Sequence, residues 1–381
     1  MMKYLFYSVF VFLIVFAGCQ NQQENHLSEQ VITIRKNTIP KPSVMSELMK
    51  SVRLIPLETN NDCLMSHIFQ LEFHNDMIFI IDFPTKNGVL VFDKEGRFLR
   101  SIGREGKGPG EYTDMASFSI LTGANRIYLN DRGARKTSEY DLDGNFIRDI
   151  QTPVKPADLR FVSENKYFVH YPKDYYLRLI DMKVSEPMLF IPHVNGYNGY
   201  GKAIYTQSDQ SYLYSPSYHD SIYSLEEDSI VLQYAFEFGP YQWSGEDQVA
   251  EYARTKGMSY PANKLTPAGP YFDFGNLFYF LLFIEDKDNR YTIDPFLWMK
   301  EDEKLIRLGD DSDDILFCSS AYPVAITPQN EWVAPLGAYE LIESKDKIKQ
   351  NQSFRYSKKL LQQIENLKED DNPVLAIFEL K

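Results

Sequence analysis

Two loops carry the residue types best suited to holding a ligand. His193, Asn195, Tyr197, Asn198, Tyr200 and Lys202 are interleaved with three glycines, and the stretch from Tyr241 to Tyr260 adds Trp243, Tyr252 and Arg254. Tyrosine and tryptophan present a rigid apolar face with a polar edge, and asparagine supplies adaptable donors and acceptors. That combination suits the face of a sugar or a peptide, although a plain surface loop has much the same composition. Tyr214, Tyr218 and Tyr241 either extend such a platform or fill the interior.

Catalytic signatures are scarce. The six histidines, His26, His67, His74, His170, His193 and His219, show neither HxH nor HExxH spacing. A fold that gathers distant segments can still bring His170, His193 and His219 together, so a calcium- or zinc-assisted hydrolase or lyase stays open as the alternative function. No Gly-x-Ser-x-Gly elbow occurs. The glycine cluster from Gly103 to Tyr112 lacks the Gly-Lys-Ser/Thr ending of a phosphate loop and precedes a strand, so it reads as a structural crossover. No catalytic residue is assigned on this basis. The paired acids Glu226-Glu227 and Asp310-Asp311 read as solvated turns.

What must position these loops is a repeat. VLVFDKEGRFLRSI at 89–102 returns as TSEYDLDGNFIRDI at 137–150, 48 residues later, and Ile78–Asp82 matches Ile127–Asp131 at an offset of 49. Upstream, Phe69 and Leu71 align with Phe118 and Ile120. Each unit reads as four short antiparallel strands, with an Asp-x-x-Gly hairpin turn between the third and fourth. A four-stranded unit of this period is a propeller blade. The 330 residues from 52 to 381 hold nearly seven units; two segments of helical character, from Ser244 and from Ser357, reduce this to six. Later blades are expected at 159–191, 211–239, 276–308 and 315–343. The fold class is therefore all-β, a six-bladed β-propeller with short helical insertions over residues 50–381. The last strand, Pro373–Leu380, should close the ring by pairing with Val52–Leu57.

The N-terminus reads as an export signal. Residues 4–16 are uncharged and too short to span a bilayer, and Phe16-Ala17-Gly18-Cys19 resembles a lipobox. Residues 1–18 are then a lipoprotein signal peptide, Cys19 carries the lipid, and 19–49 contains the lipidated cysteine and a flexible tether. The competing reading is an ordinary secretory signal with an incidental cysteine. Cys63 and Cys318 are expected as buried thiols, with a disulfide possible in an oxidising compartment. The net charge of −13 argues against nucleic acid as a partner.

Ile102–Tyr112, with Leu57-Glu58-Thr59, Phe92-Asp93 through Gly96, and Asn372-Pro373, resembles the NHL-like six-bladed β-propeller lipoproteins of Gram-negative gut anaerobes. The resemblance implies the same fold and an outer-membrane address. Gln20 after Cys19, in place of an Asp that resembles an inner-membrane retention signal, agrees with that address, and periplasmic facing is expected over the cell surface because the tether lacks a dense acidic run. The functional expectation is a membrane-anchored binding or scaffold module without a cofactor, presenting one propeller face to a glycan, a peptide or a partner protein. Its ligand-binding candidates are His193, Asn195, Tyr197, Asn198, Tyr200 and Trp243.

Overall fold

The apolar runs of this chain do not alternate, and packing explains why. Ile78 and Ile80 point into one interior cluster while Phe79 and Ile81 point into another, so the strand is buried on both faces. The computed structural model describes residues 30–381 apart from 83, 85–86, 172, 193–201, 217–218, 244–263, 286–290, 310 and 320.

Three strands come first: β1 (Gln30–Thr33), β2 (Pro42–Ser43) and, after the short helix α1 (Met45–Leu48), β3 (Met49–Pro56). Blade 1 holds β4 (Ile68–His74), β5 (Met77–Asp82), β6 (Val89–Asp93) and β7 (Phe98–Ile102). A small parallel ribbon of β8 (Arg104–Glu105) and β9 (Glu111–Tyr112) forms the glycine-rich crossover. Blade 2 follows with β10 (Met115–Leu121), β11 (Arg126–Asp131), β12 (Lys136–Asp141) and β13 (Phe146–Gln151). Blade 3 is β14 (Asp158–Ser163), β15 (Lys166–His170), β16 (Tyr175–Asp181) and β17 (Met188–Pro192). Blade 4 is β18 (Ile204–Thr206), β19 (Tyr212–Tyr214), β20 (Ser221–Leu225) and β21 (Ile230–Glu237). Blade 5 is β22 (Thr266–Asp273), β23 (Leu277–Glu285), β24 (Tyr291–Met299) and β25 (Lys304–Leu308). Blade 6 begins with β26 (Ala325–Ile326) and β27 (Trp332–Leu336). Two helices, α2 (Ala338–Gln350) and α3 (Lys358–Asn366), intervene before β28 (Val374–Leu380).

The ring closes as the sequence implies, with β28 antiparallel to β3 and Ala376 opposite Leu54. In each blade the first strand is innermost. Six hydrophobic clusters fill the six wedges between neighbouring blades, so the core is a ring of interfaces. The hairpin turns repeat in chemistry as well as spacing. Asp93 accepts from the backbone N–H of Glu95 and Arg97, and Asp141 accepts from those of Asp143 and Asn145; Gly96 and Gly144 take positive φ at 87° and 91°.

Three expectations need correction. The tether expected over 19–49 is too long: from Gln30 the chain joins the ring, β1 adding in parallel to the outer edge of blade 4 and β2 to that of blade 5. The reason is burial, because Ile32, Ile34, Met45 and Met49 are all at most 2% exposed. Blades 4 and 5 consequently have five strands. The upstream alignment slips by two, since Leu71 matches Phe118 and Phe73 matches Ile120; blade 1 turns through Asn75-Asp76, whereas blade 2 spends Thr122–Asn125. The last blade block, 315–343, runs into a helix at Ala338, stabilised where Glu340 accepts the Gly337 N–H. Of the two helical segments expected, α3 begins as predicted, with Ser357 accepting the Leu360 N–H at 3.1 Å. The one from Ser244 lies outside the described residues.

Cys63 and Cys318 are free and buried, in different interblade clusters.

The N-terminal strap should contribute measurably to stability. Ile32→Ala is expected to cost about 2–5 kcal/mol in urea unfolding, as for other buried isoleucines. Val31→Ala, at a neighbouring site 45% exposed, should change it by under ~0.5 kcal/mol. Equal effects would show that β1 is not held by burial.

Candidate functional site

The innermost strands of a ring turn one hydrogen-bonding edge toward the axis. Side chains from neighbouring blades satisfy part of it. Gln70 donates to the carbonyl of Phe118 at 2.8 Å and accepts its N–H at 3.1 Å, joining blades 1 and 2. Ser119 accepts the Phe161 N–H at 3.0 Å, and Asp158 accepts the Ile204 N–H at 3.2 Å. Gln207 spans to blade 5, donating to the Tyr271 carbonyl and accepting the Asp273 N–H.

Charge collects beside these links. Arg160, fully buried, donates to Asp158 at 2.6 Å and lies 3.9 Å from Glu72. Its Nε and Nη2 have no hydrogen-bond partner among the described residues. Burial raises the Glu72 carboxyl above its ordinary range, opposed by Arg160, by the Gln70 hydrogen bond and by Lys202.

Lys202 stands where the channel opens. It stands just before Ala203 and the inner strand of blade 4, and forms part of the wall of three adjoining cavities, of about 710, 430 and 190 Å³. The Lys202 ammonium lies 5.6 Å from the centre of the Tyr205 ring, and has no hydrogen-bond or ion-pair partner among the described residues. Burial lowers its pKa to about 8; Arg160 adds to the shift, while Asp158 and Glu72 oppose it.

Irregular backbone shapes this mouth. A bulge in β4 leaves Phe69 unmatched between Ile68 and Gln70, and one in β10 does the same to Ala116. In β22 the register breaks between Ala268 and Phe272. All three interruptions border the cavities, where bulges re-aim side chains away from the sheet. Phe69 is 45% exposed as a result.

His193, Asn195, Tyr197, Asn198 and Tyr200 lie outside the described residues, as do Tyr218, Tyr252 and Arg254. The first five fall between the end of β17 and Lys202 in the sequence. Trp243 is buried, 9% exposed, and Tyr214 is completely so. His170 and His219 both pack around Tyr176, with ring centres 6.4 and 5.4 Å away. Among the described residues no group of three His, Cys, Asp or Glu side chains is placed to hold a metal ion. Sequence reasoning missed Glu72, Asp158, Arg160 and Phe69; it placed Lys202 in a candidate loop but gave it no role.

A fourth cavity, of about 350 Å³, lies between α3, β3 and the Asn75-Asp76 turn.

Residues 29–379 match the family described as Domain of unknown function (DUF4934). The fold is similar to the crystal structure of a Bacteroides fragilis protein described as exported, with a TM-score of 0.73 and 17% identity over 92% of this chain and 100% of that one. A member of the duf4221 family from Bacteroides vulgatus is also similar, with a TM-score of 0.51 and 12% identity over 88% of this chain and 98% of that one. No curated protein is detectably similar.

The Lys202 amine makes a pH test available. With a pKa near 8 when folded against an ordinary lysine value of 10.5, the folded state binds fewer protons between those values. The contribution of Lys202 to stability therefore rises as pH goes from about 8 to about 10.5. Lys202→Met should remove that rise from a plot of urea midpoint against pH. A curve that coincides with the wild type would place the amine in ordinary solvent.

Proposed function

The chain belongs to the DUF4934 family, and we propose that this member is a membrane-anchored binding module of NHL-like propeller type. It presents the Lys202 face of the ring to a glycan, a peptide or a partner protein. The observation that carries this reading is the convergence of three cavities on one lysine at the channel mouth. Small-molecule sites are concave, bordered by apolar and aromatic groups, with a few polar groups fixing orientation. The mouth has that composition.

The anchor is the lipid on Cys19, and the address is the periplasmic side of the outer membrane. A short uncharged N-terminal run ending in Ala17-Gly18-Cys19 supports export followed by lipidation. More than one acyl chain makes such anchoring stable. The protein works without a resident metal in this reading.

Glycan and peptide arrays probed with the purified full chain should retain at least one class of ligand, and Lys202→Met should lose it. Arrays that retain nothing, or retention unchanged in Lys202→Met, would remove the mouth as the site. Stoichiometric calcium or zinc in the purified protein would move the function to the hydrolase or lyase alternative. Cys19→Ser should shift the protein from the salt-washed membrane fraction to the soluble fraction; a variant that stays with the membrane rules out lipid anchoring.

A further inference from the structure

The largest of the three cavities has walls that narrow the ligand class. This inference rests on the mouth being a binding site and goes on to say what binds there. Other cations that this acidic protein holds partly buried have an acid beside them, as Lys136 has Asp149 at 2.9 Å and Lys300 has Asp273 at 2.6 Å. Lys202 has none among the described residues and yet is ringed by protein. An ammonium held in such a place gains most from an anion brought by a ligand, because the partly desolvated setting strengthens the pair.

A second polar group waits on the same wall. Tyr279 is fully buried, and its hydroxyl has no hydrogen-bond partner among the described residues. A buried hydroxyl without a partner is costly, so a ligand oxygen here offsets a standing penalty.

The rest of the wall is aromatic and proline-rich. Phe69 and Tyr339 are 45% and 55% exposed, and both border the cavity. Pro270, Pro323, Pro335 and Pro373 also border it. Proline has no backbone N–H, so this lining offers few donors to the main chain of an extended peptide. Exposed aromatic faces instead suit the C–H face of a pyranose ring. One accessible ammonium matches one negative charge: Arg160 is sealed in the interior, and Glu340 on the same wall repels a second.

We propose that the channel mouth binds an acidic saccharide, with a uronic-acid carboxylate on Lys202, a ring hydroxyl on Tyr279 and a sugar face against Phe69 and Tyr339. The cavity volume of about 710 Å³ lies within the range of small-molecule sites.

Calorimetric titration of the purified full chain tests this with four probes: trigalacturonate, a glucuronate-containing disaccharide, neutral galactotriose and triglutamate. Binding of at least one uronate is expected, with galactotriose weaker by tenfold or more. Lys202→Met should weaken uronate binding by tenfold or more, Lys202→Arg should restore part of it, and Tyr279→Phe should weaken it severalfold. All three variants should melt within a few degrees of the wild type; if Lys202→Met does not fold, Lys202→Arg and Tyr279→Phe carry the test. Galactotriose binding as tightly as trigalacturonate overturns the acidic reading and leaves the mouth as a site. Triglutamate binding in place of both uronates overturns the saccharide reading. If neither uronate binds, the inference fails, and the array result with Lys202→Met decides separately whether the mouth binds anything else.

Discussion

A ring of blades has an inner edge that no strand covers, and the protein must satisfy it from within. Here Gln70, Ser119, Asp158 and Gln207 reach sideways to the main chain of the following blade. Each link satisfies an exposed backbone group and fixes the spacing of two blades. The hydrophobic wedges supply most of the favourable free energy, but they are tolerant of sliding. Directional bonds near the axis remove that freedom, and they hold the inner strands so that the channel mouth keeps a defined outline.

Polarity near the axis has a second result. Once backbone edges are paired by carboxylate and amide groups, charge is already present in a setting of low dielectric, and compensating charge must join it. Arg160 answers Asp158 and approaches Glu72, while Lys202 stands at the rim with no acid of its own among the described residues. The site is thus continuous with the structural solution: the same demand that ties the blades together leaves one cation facing outward.

The architecture was largely legible because a blade repeats local chemistry. Asp93 and Asp141 shape their turns through bonds to residues two and four positions ahead, which a sequence displays directly. The two-residue slip between Leu71 and Phe118 was not legible, since it depends on how long a hairpin turn is, and both alignments keep the same face. Nor was the strap. Ile32 and Ile34 are an isolated pair of apolar residues whose burial is decided by blade 4, some two hundred positions away in the chain. Helix α2 was hidden by its composition, with lysines and acids around a narrow face of Leu341 and Ile348. The mouth illustrates the same limit. Lys202 becomes unusual only because distant strands enclose it, and Phe69 only because a bulge turns it out of the sheet.

The direction of β1 fixes which way the ring points. Each outer strand from blade 1 to blade 4 runs toward the mouth, because the loop after it delivers the chain to the next inner strand, whose first residues border the cavities. β1 runs parallel to β21, so Gln30 sits toward the rear, on the side opposite Lys202. A pull applied at Gln30 from the rear would act along the strand and leave the mouth facing away from its source. Such a pull loads the β1 ladder in shear, so its four registered pairs must slip together before the strap comes off blade 4.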